Sequence, residues 1–505
     1  MDRGLSRLRD RRPRGAPQAR VRQHRSGRGV SQQPPAGHRL RPRGVPGRRP
    51  ARRRLRARFR RAERLEQPGS RPGAPGALRP DPVGPPHPGR LAGTGRASVP
   101  HRGVLTVANR ATVAVAYDCL FPYSTGGGER QYRAFADEIG ARGIDVDYLT
   151  AVQWDGAVPP EERFRIVPVS GRLSLYSADG VRRIPAALAY AAGLFRALHR
   201  SRGRYQAVIV SGLPIFNVFA ARLALLGTRT RVAVDYLEVW HRLQWVEYSG
   251  RVTGTIAWLL QRLAIAVTPV ATCHSQLSAT RLRREGLRSE PVVSPGLIDG
   301  AVQAAPTAPA SRPPYVLYAG RHIPDKRVDS LPAAVAEARR TVPDLRLVIL
   351  GSGPSTAEIR AEVDRAGGSA WTDFPGFVED AELDTLLHGA LALINPSRRE
   401  GYGLVVVEAN AHGTPVVLVA DEGNAATELI DPGVNGIVAP STSPTDLARA
   451  IRAVADGGDD LRRSARAWYD AAVGTRTIRR TVEGILSALR LPTSAAQRIT
   501  KEDTP

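Results

Sequence analysis

Apolar positions along this chain gather into short runs that alternate with helical patterns, from about residue 111 to about residue 490. Residues 112–117 form a β-branched run. A glycine-rich turn follows at Gly126, Gly127 and Gly128, then a helical period over 129–141 and another apolar run at 144–149. This order of strand, turn, helix and strand predicts a parallel α/β unit. The same reading places strands at 207–210 and 231–234 and helices at 185–200, 254–266 and 275–285. Residues 300–314 hold five Ala and four Pro without a strong period, which predicts a linker. A second alternating series follows, with strands at 315–319, 346–350, 391–394 and 415–419. Helices are predicted at 328–341, 355–366, 381–387, 403–412 and 444–455. The expected fold is therefore α/β, with two doubly wound Rossmann-like domains facing a cleft. Ligands of such sheets bind at the carboxyl ends of the strands. The boundaries read as 106–299 for the first domain, 300–314 for the linker and 315–465 for the second domain. A closing helix at 466–490 is expected to pack back on the first domain, with 491–505 as a tail.

Charge changes this picture only at one end. The formal net charge of +26 resembles that of a nucleic-acid binder. Residues 1–100, however, hold 27 Arg, no Lys and five acids, leaving 46 basic against 42 acidic residues in the other 405. A basic groove along the folded part is thereby excluded. Residues 1–105, rich in Arg, Pro and Gly, are expected to be a disordered tail or sequence upstream of the true start. The competing reading is an arm for nucleic acid or anionic lipid. Two cysteines, Cys119 and Cys273, cannot form a disulfide framework or a four-thiolate metal site. No run of 18 clean apolar residues is present, so a spanning helix is not expected. The expected location is cytoplasmic, with association with the inner face of the membrane as the alternative. Basic residues around the 185–200 helix suit an ordinary solvated helix, with peripheral membrane contact as the alternative.

Two stretches carry candidate chemistry. In the first, Gly320-Arg321-His322-Ile323-Pro324-Asp325-Lys326 follows a strand and precedes a helix. Arg321 and Lys326 flank a Pro-containing turn, from which both can converge on one diphosphate. The chain holds 71 Arg and only two Lys, so a Lys in this loop stands out. In the second, the strand at 391–394 runs into Arg399-Glu400-Gly401-Tyr402-Gly403-Leu404 and a helix that includes Glu408. A helix N-terminus offers free N–H groups to an anion, and Gly401 and Gly403 let backbone approach a ligand. Eight residues separate Glu400 from Glu408, at most about 12 Å of helical rise, so the two carboxylates can address different parts of one ligand. Breaking a sugar–phosphate bond places negative charge on the leaving phosphate, and one well-aimed donor is worth about 3–4 kcal/mol there. Asp145-Val146-Asp147 has the spacing of a metal-binding pair but lies away from a strand's carboxyl end. No metal site is expected.

These stretches resemble glycosyltransferase family 4, retaining transferases of the GT-B fold. The resemblance covers about residues 112–490. It is most specific in G-R-x-x-x-x-K followed by E-G-Y-G-L-x-x-x-E-A, the family's Glu, seven residues, Glu pattern. It implies that Arg321 and Lys326 stabilise a leaving nucleoside diphosphate and that Glu400 contacts the transferred sugar. Glu408 would accept from the ribose hydroxyls. Backbone from Gly401 through Tyr402 and Gly403 to Leu404 would complete the phosphate cradle, with Phe377 and Val378 beside the base. In the first domain, Gly126, Gly127, Gly128 and Glu129 look like the family's G-G-x-E-R loop on the acceptor side. One departure stands out: Leu237 occupies a position where the family often has His, and His241 is the candidate replacement.

The implied function is a metal-independent, retaining hexosyltransferase with no cofactor. Its partners are a nucleotide sugar and a glycan, lipid-linked or small-molecule acceptor; nucleic acid is not expected. The alternatives are an idle GT-B scaffold that binds nucleic acid or membrane through its tail, and a sugar-nucleotide epimerase or phosphorylase.

Overall fold

In the computed structural model, residues 111–177, 182–298 and 307–493 are described. The expectations for residues 1–105, for most of the 491–505 tail and for part of the linker lie outside them.

The first lobe is a seven-stranded parallel sheet. Its strands in chain order are β1 (Thr112–Ala116), β2 (Asp145–Ala151), β3 (Arg165–Ser170), β4 (Ala207–Ser211), β5 (Arg231–Tyr236), β6 (Val270–Cys273) and β7 (Val292–Val293). Their order across the sheet is β3-β2-β1-β4-β5-β6-β7. The second lobe repeats the arrangement with β8 (Tyr315–Ala319), β9 (Arg346–Leu350), β10 (Thr372–Gly376), β11 (Ala392–Asn395), β13 (Val416–Val419) and β15 (Gly436–Ala439), in the order β10-β9-β8-β11-β13-β15. Two short strands, β12 (Arg399–Glu400) and β14 (Gly423–Asn424), pair beside it. In each lobe the third, second and first strands precede the fourth, so the order reverses between β1 and β4 and between β8 and β11. The crevice at such a reversal is where doubly wound sheets take ligands. Both Rossmann-like domains expected from the alternating pattern are present.

Central strands are covered on both faces, which is why β4, with the sequence Ala-Val-Ile-Val-Ser, is buried throughout. Edge strands need no such run. β3 carries Pro168 and is half exposed, and it is absent from the predicted set, as are β6, β10, β15 and the two-residue strands β12 and β14. The helices Phe216–Ala224 and Arg242–Ser249 were also unpredicted. The helix expected at 328–341 is shorter: two 3-10 turns, Pro324–Lys326 and Val328–Ser330, precede Leu331–Ala338. The helix expected at 444–455 is longer. It runs on to Val473 through a break at Gly458, where φ is +47°.

The chain crosses between lobes twice, and the two crossings are bonded together. Ile298 N–H donates to Arg476 O (3.0 Å), and Ile478 N–H donates to Ile298 O (3.1 Å). The last helix, Ile478–Ala488, then packs on Gly127–Ala141 of the first lobe. Arg231 in β5 donates to Leu489 O (2.7 Å), and Ser294 and Thr481 share a hydroxyl bond (2.7 Å).

Asp147 lies near the amino end of β2. It is buried, and it accepts from Arg165 (2.7 and 2.9 Å), Arg204 (3.1 Å) and Tyr205 (2.8 Å). Its charge is used in holding strand ends together.

Candidate functional site

The second lobe's side of the cleft is assembled from two loops at the carboxyl ends of β8 and β11. His322 anchors the first loop. It is buried, with Nδ1 2.8 Å from Thr356 Oγ1 and Nε2 3.2 Å from Leu350 O, and burial lowers its pKa. The Gly351-Ser352-Gly353 turn packs directly beneath. A Cβ at Gly351, where φ is +97°, would sit 2.0 Å from Gly320 O, and one at Gly353 would sit 2.4 Å from His322 O. Those glycines serve close backbone packing under the loop. With His322 fixed inward, Arg321 projects outward and is exposed. It lies near Tyr176 and Arg182 of the first lobe.

The 3-10 turn Pro324–Lys326 carries Lys326 to Glu400. Lys326 Nζ lies 2.5 Å from Glu400 Oε1, which also accepts from Asn395 Nδ2 (2.9 Å) and Ser397 Oγ (2.8 Å). Burial by itself would raise the Glu400 pKa. The Lys326 ammonium and the three hydrogen bonds outweigh it and hold the carboxyl below the usual carboxylate range. Asp325 ties the two loops together, accepting from Arg399 Nη2 (2.5 Å) through its carboxylate and from Arg398 N–H (2.8 Å) through its backbone.

Beyond Glu400 the chain turns toward the first lobe. A Cβ at Gly401 would meet Leu237 O at 2.3 Å, so glycine there permits the lobes to touch. The Tyr402 side chain is buried. Its hydroxyl accepts from Leu297 N–H (3.2 Å), because the residue packs beneath the interlobe crossing. Gly403 has φ of +97° and opens the helix Leu404–Ala411. Glu408 in that helix pairs with Arg130 of the first lobe at 2.6 Å. Leu404, Glu408 and Arg130 line one cavity with Leu297 and Ile298. Phe377 is exposed after β10, and Val378 packs against the core.

On the first lobe, the glycine loop is wedged against its neighbours. A Cβ at Gly128 would lie 2.7 Å from the Tyr117 hydroxyl and 3.2 Å from Leu237 Cδ1. One at Gly127 would lie 3.6 Å from Leu404 Cδ1, and one at Gly126 would lie 2.3 Å from Glu129 Oε2. Glu129 is buried, so it is part of the loop's own packing. Behind the loop, buried Asp235 accepts from Gln131 Nε2 (3.0 Å), Tyr132 OH (2.9 Å) and Thr272 Oγ1 (2.5 Å), with His274 Nε2 at 2.9 Å. This network fixes the helix Gly127–Ala141 to the ends of β5 and β6.

His241 does not replace the histidine that Leu237 lacks. It caps the helix Arg242–Ser249, its Nδ1 accepting from Gln244 N–H (3.4 Å), and its Nε2 lies 3.8 Å from Glu422. The residue that faces Glu400 is Glu238, next to Leu237. Its carboxylate accepts from Trp240 Nε1 (2.7 Å). Burial raises its pKa; the Glu400 charge adds to this, while Trp240, Lys326 and Arg399 oppose it. Asp118, buried after β1, is ion-paired with Arg182. Sequence reading missed Glu238, Asp118, Arg182 and Arg130. Glu238 stands next to Leu237 and Arg130 next to Glu129, but no local pattern marks the partner of either.

The four side chains expected to converge therefore divide. Lys326 and Glu400 are in direct contact, Arg321 stands at the rim of the same loop, and Glu408 is engaged separately by Arg130.

Comparison with known proteins agrees with the fold. Residues 302–470 match the model for glycosyl transferases group 1, and residues 126–296 match that for the glycosyl transferase 4-like domain. Glycogen synthase of Mycobacterium tuberculosis is 31% identical over 238 residues, covering 45% of this chain and 56% of that protein. The chain thus spans about half the length of the curated relatives it matches. Among solved structures, sucrose-phosphate synthase of Thermosynechococcus elongatus aligns with a TM-score of 0.63 at 17% identity, over 78% of this chain and all of the other. HepE of Anabaena in complex with UDP and glucose aligns with a TM-score of 0.56 at 17% identity, over 75% of this chain and 99% of the other.

Proposed function

The chain belongs to the family-4-like glycosyltransferases of the GT-B fold, and from that premise we propose that it moves a sugar from a nucleoside diphosphate to an acceptor hydroxyl with retention at the reacting carbon. The bond from the sugar's C1 to the diphosphate oxygen breaks, and a bond from C1 to the acceptor oxygen forms on the same face. The acceptor's proton leaves with the diphosphate. Negative charge grows on the departing phosphate, where Arg321, Lys326 and the N–H groups opening the helix Leu404–Ala411 supply fixed positive potential. On this reading no resident metal or cofactor is required. Glu400, kept ionised by Lys326, addresses the sugar.

The carrying observation is the Lys326–Glu400 contact at 2.5 Å, held by Asn395 and Ser397 at the carboxyl end of β11. An idle scaffold has no need of a partly buried cation and anion positioned this way, since such a pair contributes little stability compared with apolar packing. The HepE complex with UDP and glucose supports a nucleotide-sugar donor. A thermal-shift screen with UDP-, GDP- and ADP-sugars, followed by analysis of the product anomer, tests the reading. Failure of every nucleotide sugar to stabilise the chain sinks it, and an inverted, epimerised or phosphorolysed product redirects it.

We place the acceptor on the first lobe and at an anionic membrane surface on the cytoplasmic side. Among the described residues no helix is long and apolar enough to cross a membrane. Fourteen of the sixteen large hydrophobic side chains exposed among those residues nevertheless belong to the first lobe. Four of them, Val252, Ile256, Leu259 and Leu263, stand at helical spacing on Arg251–Ala266 and are 53–75% exposed. That helix carries two Arg and no acid, which suits an anionic bilayer. This stripe supports membrane contact better than the 185–200 helix expected from sequence.

A further inference from the structure

The contact between Arg130 and Glu408 spans the cleft, and the stability of the fold does not account for it. Arg130 Nη1 lies 2.6 Å from Glu408 Oε1, with the arginine side chain 50% exposed and the glutamate 19%. A pair this wet adds little to folding. Both residues are nonetheless held from behind. Arg130 N–H donates to Gly126 O (3.2 Å), and its neighbours Glu129 and Gln131 are buried, Gln131 within the Asp235 network. Glu408 stands on a helix whose Val406, Val407 and Ala409 are buried. Two rigid elements thus aim an arginine and a glutamate at each other across a cavity that both line.

We propose that Arg130 is a positioning residue that holds the Glu408 carboxylate from the opposite lobe, so that closure of the cleft and capture of the donor's ribose are coupled. The proposal rests on the reading that Glu408 accepts from the ribose hydroxyls. Only Oε1 of Glu408 is engaged among the described residues, which leaves Oε2 to accept from a diol. With Oε1 pinned, Oε2 keeps one direction, and less side-chain freedom is lost when the nucleotide binds. A Cβ on Gly127, three residues before Arg130, would lie 3.6 Å from Leu404 Cδ1 at the start of the same helix.

The test uses the full chain and its variants Arg130→Ala, Arg130→Lys, Glu408→Gln and the double variant Arg130→Ala/Glu408→Gln. UDP, GDP and ADP serve as calorimetric probes, with donor KM and kcat measured in parallel and melting temperatures as the control for folding. Arg130→Ala is expected to weaken nucleoside diphosphate binding and raise donor KM about fivefold or more, a loss that falls on KM rather than kcat. Arg130→Lys should restore part of it, and Arg130→Ala should add nothing in the Glu408→Gln background. Unchanged affinity in Arg130→Ala overturns the proposal, as does the same loss in the Glu408→Gln background. Tighter binding also overturns it, since Arg130 would then be a latch that the nucleotide must displace. A wild-type chain that binds none of the three probes overturns this proposal and the donor reading together, whereas normal wild-type binding that ignores Arg130 overturns this proposal alone.

Discussion

Lys326 reaches Glu400 across two loops that are 74 residues apart in sequence, and its ammonium, with the hydrogen bonds of Asn395 and Ser397, outweighs burial and holds the glutamate below the usual carboxylate range. Removing the lysine leaves a buried carboxylate whose remaining partners are Asn395 and Ser397. The pair's sign is clear: Glu400 has a depressed pKa when folded, so its contribution is present above the usual carboxylate range and is lost as pH falls through the depressed value. Lys326→Ala is expected to lower sugar transfer about tenfold or more, and Glu408→Gln to do the same through donor binding. Steady-state turnover of a nucleotide sugar measures both, and near-normal turnover in the two variants refutes these roles.

Gly401 is where the second lobe's backbone meets Leu237 O, with only 2.3 Å for a Cβ. Gly401→Ala should hold the lobes apart and misplace Glu400 relative to the first lobe. A displacement near 1 Å at a reacting centre costs about 100-fold in rate at the severe end, so a loss of about tenfold or more in kcat is expected. Because the clash lies between lobes, the melting temperature should move less than the rate does. Normal kcat would show that the close approach is not part of the working state.

Glu238 sits in the cleft with its pKa raised, mainly by burial, in the field of Glu400. The folded chain therefore holds this proton more tightly than the unfolded chain does. Stability drawn from it is present at pH values below the usual carboxylate range and erodes as pH rises through the raised value. Glu238→Gln keeps an acceptor for Trp240 and removes the charge. Its melting temperature relative to wild type should rise between pH 4 and pH 8, by about 2 °C or more. A pH-independent difference would show that Glu238 is not strained by its surroundings.

The stripe on Arg251–Ala266 predicts binding to vesicles that contain anionic lipid. Replacing Ile256 and Leu259 together by Asp should weaken co-sedimentation about tenfold or more, since each aliphatic side chain gains about 1.5–3 kcal/mol on full burial. Both positions are already exposed, so folding should be unaffected. Equal binding by the variant would direct attention to Ile184 and Leu188 on the helix Ile184–Arg200.

Cys119 and Cys273 are buried, and burial pushes both thiols up to about 12. They should stay protonated and fail to react with a thiol reagent at pH 8 until the chain is denatured. Rapid labelling of the native protein would contradict their burial.

The sequence alone determined the two α/β series, because strands covered on both faces must be written as unbroken apolar runs such as Ala207–Ser211 and helices on them as 3.6-residue patterns. It also marked the loops of Arg321 and Lys326 and of Glu400, since glycines and a rare lysine at the ends of strands are local features. It missed β3, whose exposed edge needs no apolar run, and the break at Gly458, which no local rule required. Partnership was the part only the tertiary structure decided. Tyr402 turns inward to Leu297, His241 spends its ring on a helix cap, Glu238 stands opposite Glu400, and Arg130 reaches Glu408 from the other lobe. Apart from the His241 cap, which is local, each of these pairings joins segments far apart in the chain. Contacts of that kind are fixed by how two sheets close on one another, a relation that no spacing within a single stretch of residues encodes.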